Sequence, residues 1–335
     1  MSSGSWFSVQ VNTNPAEVGE GGPHAVAGWS AVSMAASETR GIDTDMGPRP
    51  TGLDLVVLLS DLLSHELGPG LQTYLEIGVS NGKNLYGTTN VMSAQWQGAG
   101  FSFEKINPPF ERKLEALRSS QATHWKASLH EWTQSSRREF IAKYGEDGAC
   151  GLEQNPATNP GFFPYYVKRY AGIRTPHGTK NVTYIHADEH DVYGWIHAGN
   201  VGPFQLILSD ACHKDKSVRY ECDMFTKYRL VHFDQPFAIV WDDAMLNTYC
   251  ATVLQRAAGK RLSIGAVKVA GRTKPHNFQF VTNLGTDSID ALMRTLDAAG
   301  VAHYAVLSNG EVHRQGKWKK PPVADEASEG ERWEG

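Results

Sequence analysis

Six carboxylates in this sequence stand at or just past the end of short apolar runs: Glu76, Glu104, Asp188, Asp210, and Asp242 with Asp243. The sharpest grouping is Asp210-Ala211-Cys212-His213 together with Asp242-Asp243. Three carboxylates brought together from two neighbouring strand ends can offer an oxygen-rich site to a hard divalent ion such as Mg²⁺, with water or substrate oxygens completing the shell. His213, three residues after Asp210, is then placed to act as a general base, since an imidazole titrates near ~6.5 when unperturbed. Each residue also has an ordinary reading. Asp242-Asp243 can cap a helix beginning near Leu246, and His213 is one of thirteen histidines. A second polar group, His186, Asp188, Glu189, His190 and Asp191, lacks the H-E-x-x-H spacing that puts two histidines on one helical face, and reads as loop and surface.

These acids need a scaffold that brings strand ends to one edge. The stretch Tyr74-Leu75-Glu76-Ile77-Gly78-Val79-Ser80-Asn81-Gly82 supplies its corner: an apolar run, a Gly-rich turn, and helix-compatible sequence from Lys83 to Met92. Glycine at 78 permits φ > 0 at the turn, and Gly82 permits close approach of backbone to a ligand. The following helix would present unpaired N–H groups and its positive dipole end to an anion. Upstream, Leu55, Leu59, Leu62, Leu63 and Leu67 recur at helical spacing until Gly68-Pro69-Gly70 stops them. Downstream, strands are expected at 100–103, 182–187, 204–209 and 237–241, with helices at 217–231 and 246–258. An antiparallel hairpin is expected from 263–270 and 277–283. The fold class is α/β: a doubly wound, mostly parallel seven-stranded sheet with an antiparallel edge hairpin.

Leu75-Glu76-Ile77-Gly78-Val79-Ser80-Asn81-Gly82 resembles motif I of class I S-adenosylmethionine (SAM) methyltransferases, and Glu104, 28 positions after Glu76, stands where such enzymes hold the ribose hydroxyls. The resemblance spans roughly residues 52 to 283 and implies a Rossmann-like fold. It implies a SAM site built from Glu76, Gly78, Ser80, Gly82, Glu104 and Asp188, the last near the adenine. The Asp-x-x-His of Asp210 and His213, followed by the acidic pair Asp242-Asp243, is similar to metal-dependent O-methyltransferases of natural-product sugars and to the cephalosporin-biosynthesis methyltransferase. Catechol-type relatives carry Asp-Asn at the second position. The implied activity is methyl transfer to a hydroxyl of a small molecule, sugar or catechol-like, with Mg²⁺ bound by Asp210, Asp242 and Asp243 and His213 as base. Three alternatives stay open: a metal-independent enzyme acting on O or N, a nicotinamide-dependent oxidoreductase (disfavoured by the missing third glycine), and a non-catalytic SAM-fold binding module.

The 335 residues divide into an extension over 1–50 and a catalytic domain over 51–285. The domain carries an insertion at about 105–180, aromatic-rich near Phe162-Phe163-Pro164-Tyr165-Tyr166 and suited to a substrate lid. A small addition over 286–315 and a charged tail over 316–335 complete the chain. A net charge of −4 gives no footprint for nucleic acid, and no run reaches the ~18 apolar residues a membrane span needs. Cys150, Cys212, Cys222 and Cys250 form no C-x-x-C pair and are expected to be reduced thiols of a cytoplasmic protein. No signal peptide is visible at Met1-Ser2-Ser3-Gly4-Ser5. A homo-oligomer is compatible with all of this.

Overall fold

The leucine spacing ahead of Gly68 forms the helix it predicts: in the computed structural model α1 spans Gly52–Leu67, and Gly68 closes it with φ +71°. The structure describes residues 52–79, 83–102, 123–125, 130–131, 162–163, 166–187, 192–212, 214–242, 248–269, 276–307 and 312–315. After α1 come β1 (Gln72–Ile77), α2 (Lys83–Val91), β2 (Trp96–Ser102) and β3 (Thr123–Trp125). The short strands β4 (His130–Glu131) and β5 (Phe162–Phe163) pair with each other, and β6 (Tyr166–Thr175) and β7 (Gly178–His186) follow. Next are α3 (Val192–Val201), β8 (Leu206–Ser209), α4 (Asp215–Lys227), β9 (Ala238–Asp242) and α5 (Thr248–Ala258). The chain closes with β10 (Ser263–Val269), β11 (His276–Thr282), α6 (Thr286–Ala298), β12 (Ala302–Leu307) and β13 (Val312–Gln315).

The main sheet has the order β13-β12-β10-β11-β9-β8-β1-β2-β7-β6-β3. Its centre, β7-β2-β1-β8-β9, is parallel throughout. The β10–β11 hairpin is antiparallel and joins through β11 to β9. The expected doubly wound sheet with its edge hairpin is therefore present, with eleven strands among the described residues rather than seven. At one edge β12 and β13 continue the sheet past β10. At the other, β6 pairs antiparallel with β7, and β3 with β6. Residues 166–175, expected within a Pro- and Gly-rich insertion, form a strand because Pro176 and His177 make the tight turn of a hairpin. Lys180 fastens that hairpin: its buried ammonium donates to the carbonyls of Ser93 and Trp96, and burial brings its pKa down to about 8. Two further stretches with helix-compatible sequence, 110–117 and 137–144, lie outside the described residues.

Two apolar layers cover the sheet. One packs Leu55, Leu59 and Leu63 of α1, Leu85 of α2 and Leu292 of α6 over Tyr74, Leu206 and Val240. The other packs Trp195 of α3, Phe225 of α4 and Leu254 of α5 over Leu75, Ile207 and Ile239. Burying a strand on both faces is what makes its sequence run apolar without alternation. Burial of the helices' apolar faces, each side chain contributing about 1.5–3 kcal/mol, is the main stabilising term.

The expectation of reduced thiols is overturned. Cys222 of α4 and Cys250 of α5 form a disulfide with a Cα–Cα distance of 5.6 Å, and Cys212 is disulfide-bonded too. Their sequence separation of 28 residues carries no sign of this, because the pairing arises from two helices lying side by side on one face. Disulfides persist in oxidising compartments, so the thiol argument for a cytoplasmic location falls. Among the described residues no helix is long and apolar enough to cross a membrane.

Helix α2 sits unusually close to β2, since a Cβ on Gly100 would lie 2.5 Å from Leu85 Cδ2 and 2.7 Å from Val79 Cγ2. Gly100→Val is expected to lower stability by about 1–3 kcal/mol, the range for overpacking a filled core. The change should be read as a lower urea midpoint at constant slope.

Candidate functional site

Ligands of open α/β sheets bind beyond the carboxyl ends of the strands, at the point where strand order reverses. Here that point lies between β1 and β8, because the chain winds from β1 outward through β2 and β7, then returns to β8 and β9. Gly78 stands at this point. Its amide donates to the Phe101 carbonyl at 2.8 Å, and the Asp210 amide donates to the Ile77 carbonyl at 2.9 Å, so the turn is pinned on both sides. Gly78 has φ +81°, and a Cβ there would overlap the Asp210 carbonyl. Both facts require glycine.

Glu76 lies one pleat below. It is fully buried on β1, on the same face as Tyr74. Its Oε2 accepts the Tyr74 hydroxyl at 2.9 Å, while Oε1 has no hydrogen-bond partner among the described residues. Burial raises its pKa well above the usual carboxylate value; the Tyr74 hydroxyl opposes this, the charge of Asp210 adds to it, and the Leu85 amide opposes it weakly. Tyr74 is pushed up in turn by burial and by Glu76. The carboxyl thus sits under the turn, beside the first residues of α2, rather than on an open surface.

The metal-type acids are brought to adjacent strand ends. Parallel pairing sets Ser209 of β8 opposite Trp241 of β9. One residue further on in each case are Asp210, just past the end of β8, and Asp242, the last residue of β9. Both are half-buried. Asp243 and His213 lie outside the described residues, as do Ser80, Gly82, Glu104 and Asp188. Among the described residues no group of three or more His, Cys, Asp or Glu side chains is placed to hold a metal.

Two polar residues not singled out from the sequence belong to this edge. Tyr74 was legible, since period-2 alternation puts it on the face of Glu76. Glu221 of α4 was legible as well: it falls in the helix's apolar stripe with Val218, Cys222 and Phe225, where a carboxylate needs a partner. It has two, as its Oε1 accepts the Ser209 hydroxyl at 2.8 Å and its Oε2 accepts the Trp241 indole N–H at 3.0 Å.

No family model and no curated protein matches the sequence. Among solved structures, the chain is similar to a putative O-methyltransferase from Klebsiella pneumoniae (11% identity over 79% of this chain and 91% of that one, TM-score 0.31). An O-methyltransferase from Bacillus cereus in complex with SAH is similar at 12% identity, over 76% of this chain and 97% of that one, with a TM-score of 0.32. An N-methyltransferase from Bradyrhizobium japonicum, also in complex with SAH, is similar at 10% identity over 76% and 99%, TM-score 0.32. Scores this low lend no weight to a function, which rests on the strand ends themselves.

Because the native state holds Glu76 protonated more tightly than the unfolded chain does, its stabilising contribution is complete below the ordinary value of 4.5 and is lost as pH rises through the raised native value. Glu76→Gln keeps an acceptor for Tyr74 and removes the charge. Urea midpoints of the two proteins should converge at low pH, with wild type falling progressively below the variant as pH rises. Asp61, raised by burial to about 6, is common to both and cancels. Parallel profiles across this range would contradict the burial argument.

Proposed function

We propose that this chain is a SAM-dependent methyltransferase that methylates a hydroxyl of a small molecule, sugar or catechol-like, with the help of a divalent ion such as Mg²⁺. The observation that carries this reading is the crowding of acids at the switch point. Glu76 and Asp210 are close enough for one charge to oppose ionisation of the other, and Asp242 ends the strand next to β8, one residue past the partner of Ser209. Like charges gathered this way favour cationic ligands, and a methyl donor bearing a sulfonium and an ammonium, next to a metal ion, provides two.

Two observations support the SAM part of this reading. The buried Glu76 Oε1 is an acceptor open to a ligand donor or water. The side-chain-free turn at Gly78 lets backbone approach. In this reading Glu76, Gly78, Ser80, Gly82, Glu104 and Asp188 hold SAM, and Asp210, Asp242 and Asp243 hold the ion. When bound, SAM would supply a transferable methyl group and the ion would lower the pKa of the acceptor hydroxyl. What the protein contributes is placement and proton removal. The strand ends would hold the two reactants in line, an alignment that can contribute on the order of 7–11 kcal/mol; the His213 imidazole takes the hydroxyl proton as the carbon–oxygen bond forms and the methyl–sulfur bond breaks, its electron pair staying on the sulfur of SAH.

Isothermal titration with SAH and a methyl-transfer assay with and without EDTA test this. Asp210→Ala, Asp243→Ala and EDTA should each abolish turnover while SAH still binds. His213→Ala should lower the maximal rate by about 10²–10⁴-fold, the range for loss of a general base. Full turnover in EDTA would point to a metal-independent enzyme acting on O or N, and SAH binding without turnover on any acceptor to a binding module. Absence of SAH binding would refute the reading.

A further inference from the structure

We propose that Glu221 is a positioning residue that sets the spacing of Asp210 and Asp242; this rests on the reading of those two acids as ion ligands. Glu221 lies on α4, fully buried, on the face of the sheet opposite Tyr74 and Glu76. Its two oxygens reach two strands: Oε1 accepts from Ser209 of β8 at 2.8 Å, Oε2 from the Trp241 indole of β9 at 3.0 Å. Ser209 and Trp241 are a register pair, and each immediately precedes one of the acids. Side chains alternate along a strand, so Trp241 points to one face and Asp242 to the other. A single carboxylate therefore bridges the last residue pair between β8 and β9 from behind, while the acids that follow that pair emerge in front.

Backbone pairing between β8 and β9 ends at Ser209 and Trp241; past that pair Asp242 is tied by backbone to Phe278 of β11 and Asp210 to Ile77 of β1, each to its other neighbour. Beyond this point the chain enters α4 on one side and the 243–247 segment on the other. The Glu221 bridge supplies a cross-link at the last step before the ligands. Its own helix is well anchored: the next residue, Cys222, is disulfide-bonded to Cys250 of α5, and Asp223 accepts the Tyr249 hydroxyl at 2.5 Å. Three consecutive residues of α4 thus tie β8, β9 and α5 into one block. Groups that orient metal ligands without touching the ion typically change metal affinity by about 10–100-fold when removed.

The test compares wild type with Glu221→Ala and Glu221→Gln, using Mn²⁺ and SAH as separate calorimetric probes, together with crystal structures of each protein. Gln can still accept the indole N–H and can donate to the Ser209 hydroxyl. Glu221→Ala should weaken Mn²⁺ binding by about 10–100-fold and leave SAH binding in place, with the Asp210–Asp242 separation increased; Glu221→Gln should recover most of the Mn²⁺ affinity. Mn²⁺ binding by Glu221→Ala equal to wild type, or an equal loss of Mn²⁺ and SAH affinity, would overturn the proposal. Wild type that binds SAH but no Mn²⁺ removes the metal reading alone, and the crystallographic separation then decides the bridge: unchanged in Glu221→Ala, it is refuted. If Glu221→Ala does not fold, Ser209→Ala and Trp241→Phe, each removing one arm, carry the same comparison.

Discussion

The backbone of Gly78 lies against the backbone of Asp210 so closely that no side chain fits between them, and the rest of the site depends on that contact. It fixes where the first strand ends relative to its neighbour across the reversal in winding. With the turn held by hydrogen bonds to Phe101 and from Asp210, β1 delivers Glu76 beneath the corner and α2 begins directly after the turn. On the other side the same contact sets the height at which Asp210 leaves the sheet, and through the β8–β9 register the height of Asp242. Closeness recurs at β2, where Gly98 and Gly100 let Thr89 and Leu85 of α2 descend onto the strand. Glycine is used at these positions to bring backbone elements together, and the helix that follows the turn is pressed into the place where its N–H groups can face a ligand.

Such closeness concentrates charge. Burial alone drives Glu76 towards its neutral form, and Asp210 pushes the same way. The Tyr74 hydroxyl and the Leu85 amide pull in the opposite direction but do not reverse the balance. A carboxyl held this way responds strongly to a cation entering the corner, because the cation favours the ionised form that burial disfavours. Ligand binding and the protonation of Glu76 are therefore linked. A positively charged ligand that engages this carboxyl should release a proton on binding in the range where Glu76 is otherwise neutral.

Much of this was legible in the sequence, for reasons that differ from residue to residue. The strand–turn–helix corner could be read because its parts are local: an apolar run, a glycine where φ must be positive, a helix-compatible stretch. Asp210 and Asp242 could be read because apolar runs end where strands end. The helix spacing of Leu55, Leu59, Leu62 and Leu63 gave α1 directly, and all four are buried. The strand Tyr166–Thr175 was hidden by Gly172 and by the Pro176-His177 turn, which resemble loop composition but serve a hairpin. The Cys222–Cys250 disulfide was hidden because it depends on α4 and α5 packing together, a tertiary fact with no local signature. Helix α3 was missed for a related reason: Val192-Tyr193-Gly194-Trp195 is a poor helix start by propensity, yet Gly194 is needed where Phe101 and Ala187 press against it, and Trp195 is fully buried.

The division of labour between the two faces of the sheet follows from strand alternation. On the face of α1, α2 and α6 the polar groups near the edge are Tyr74 and Glu76, and they meet the turn that would receive a ligand. On the face of α3, α4 and α5 the polar groups are Ser209 and Glu221, bonded to each other and, through Glu221, to the Trp241 indole. That second set is enclosed by Trp195, Phe225 and Trp241, with Trp195 edge-on to both Phe101 and Phe225. A hydrogen-bonded carboxylate in such surroundings is costly to disturb, since removing either donor leaves a buried polar atom unpaired. The hydrogen-bonded block behind the sheet and the carboxyls in front are thus carried by the same strands, residue by alternate residue.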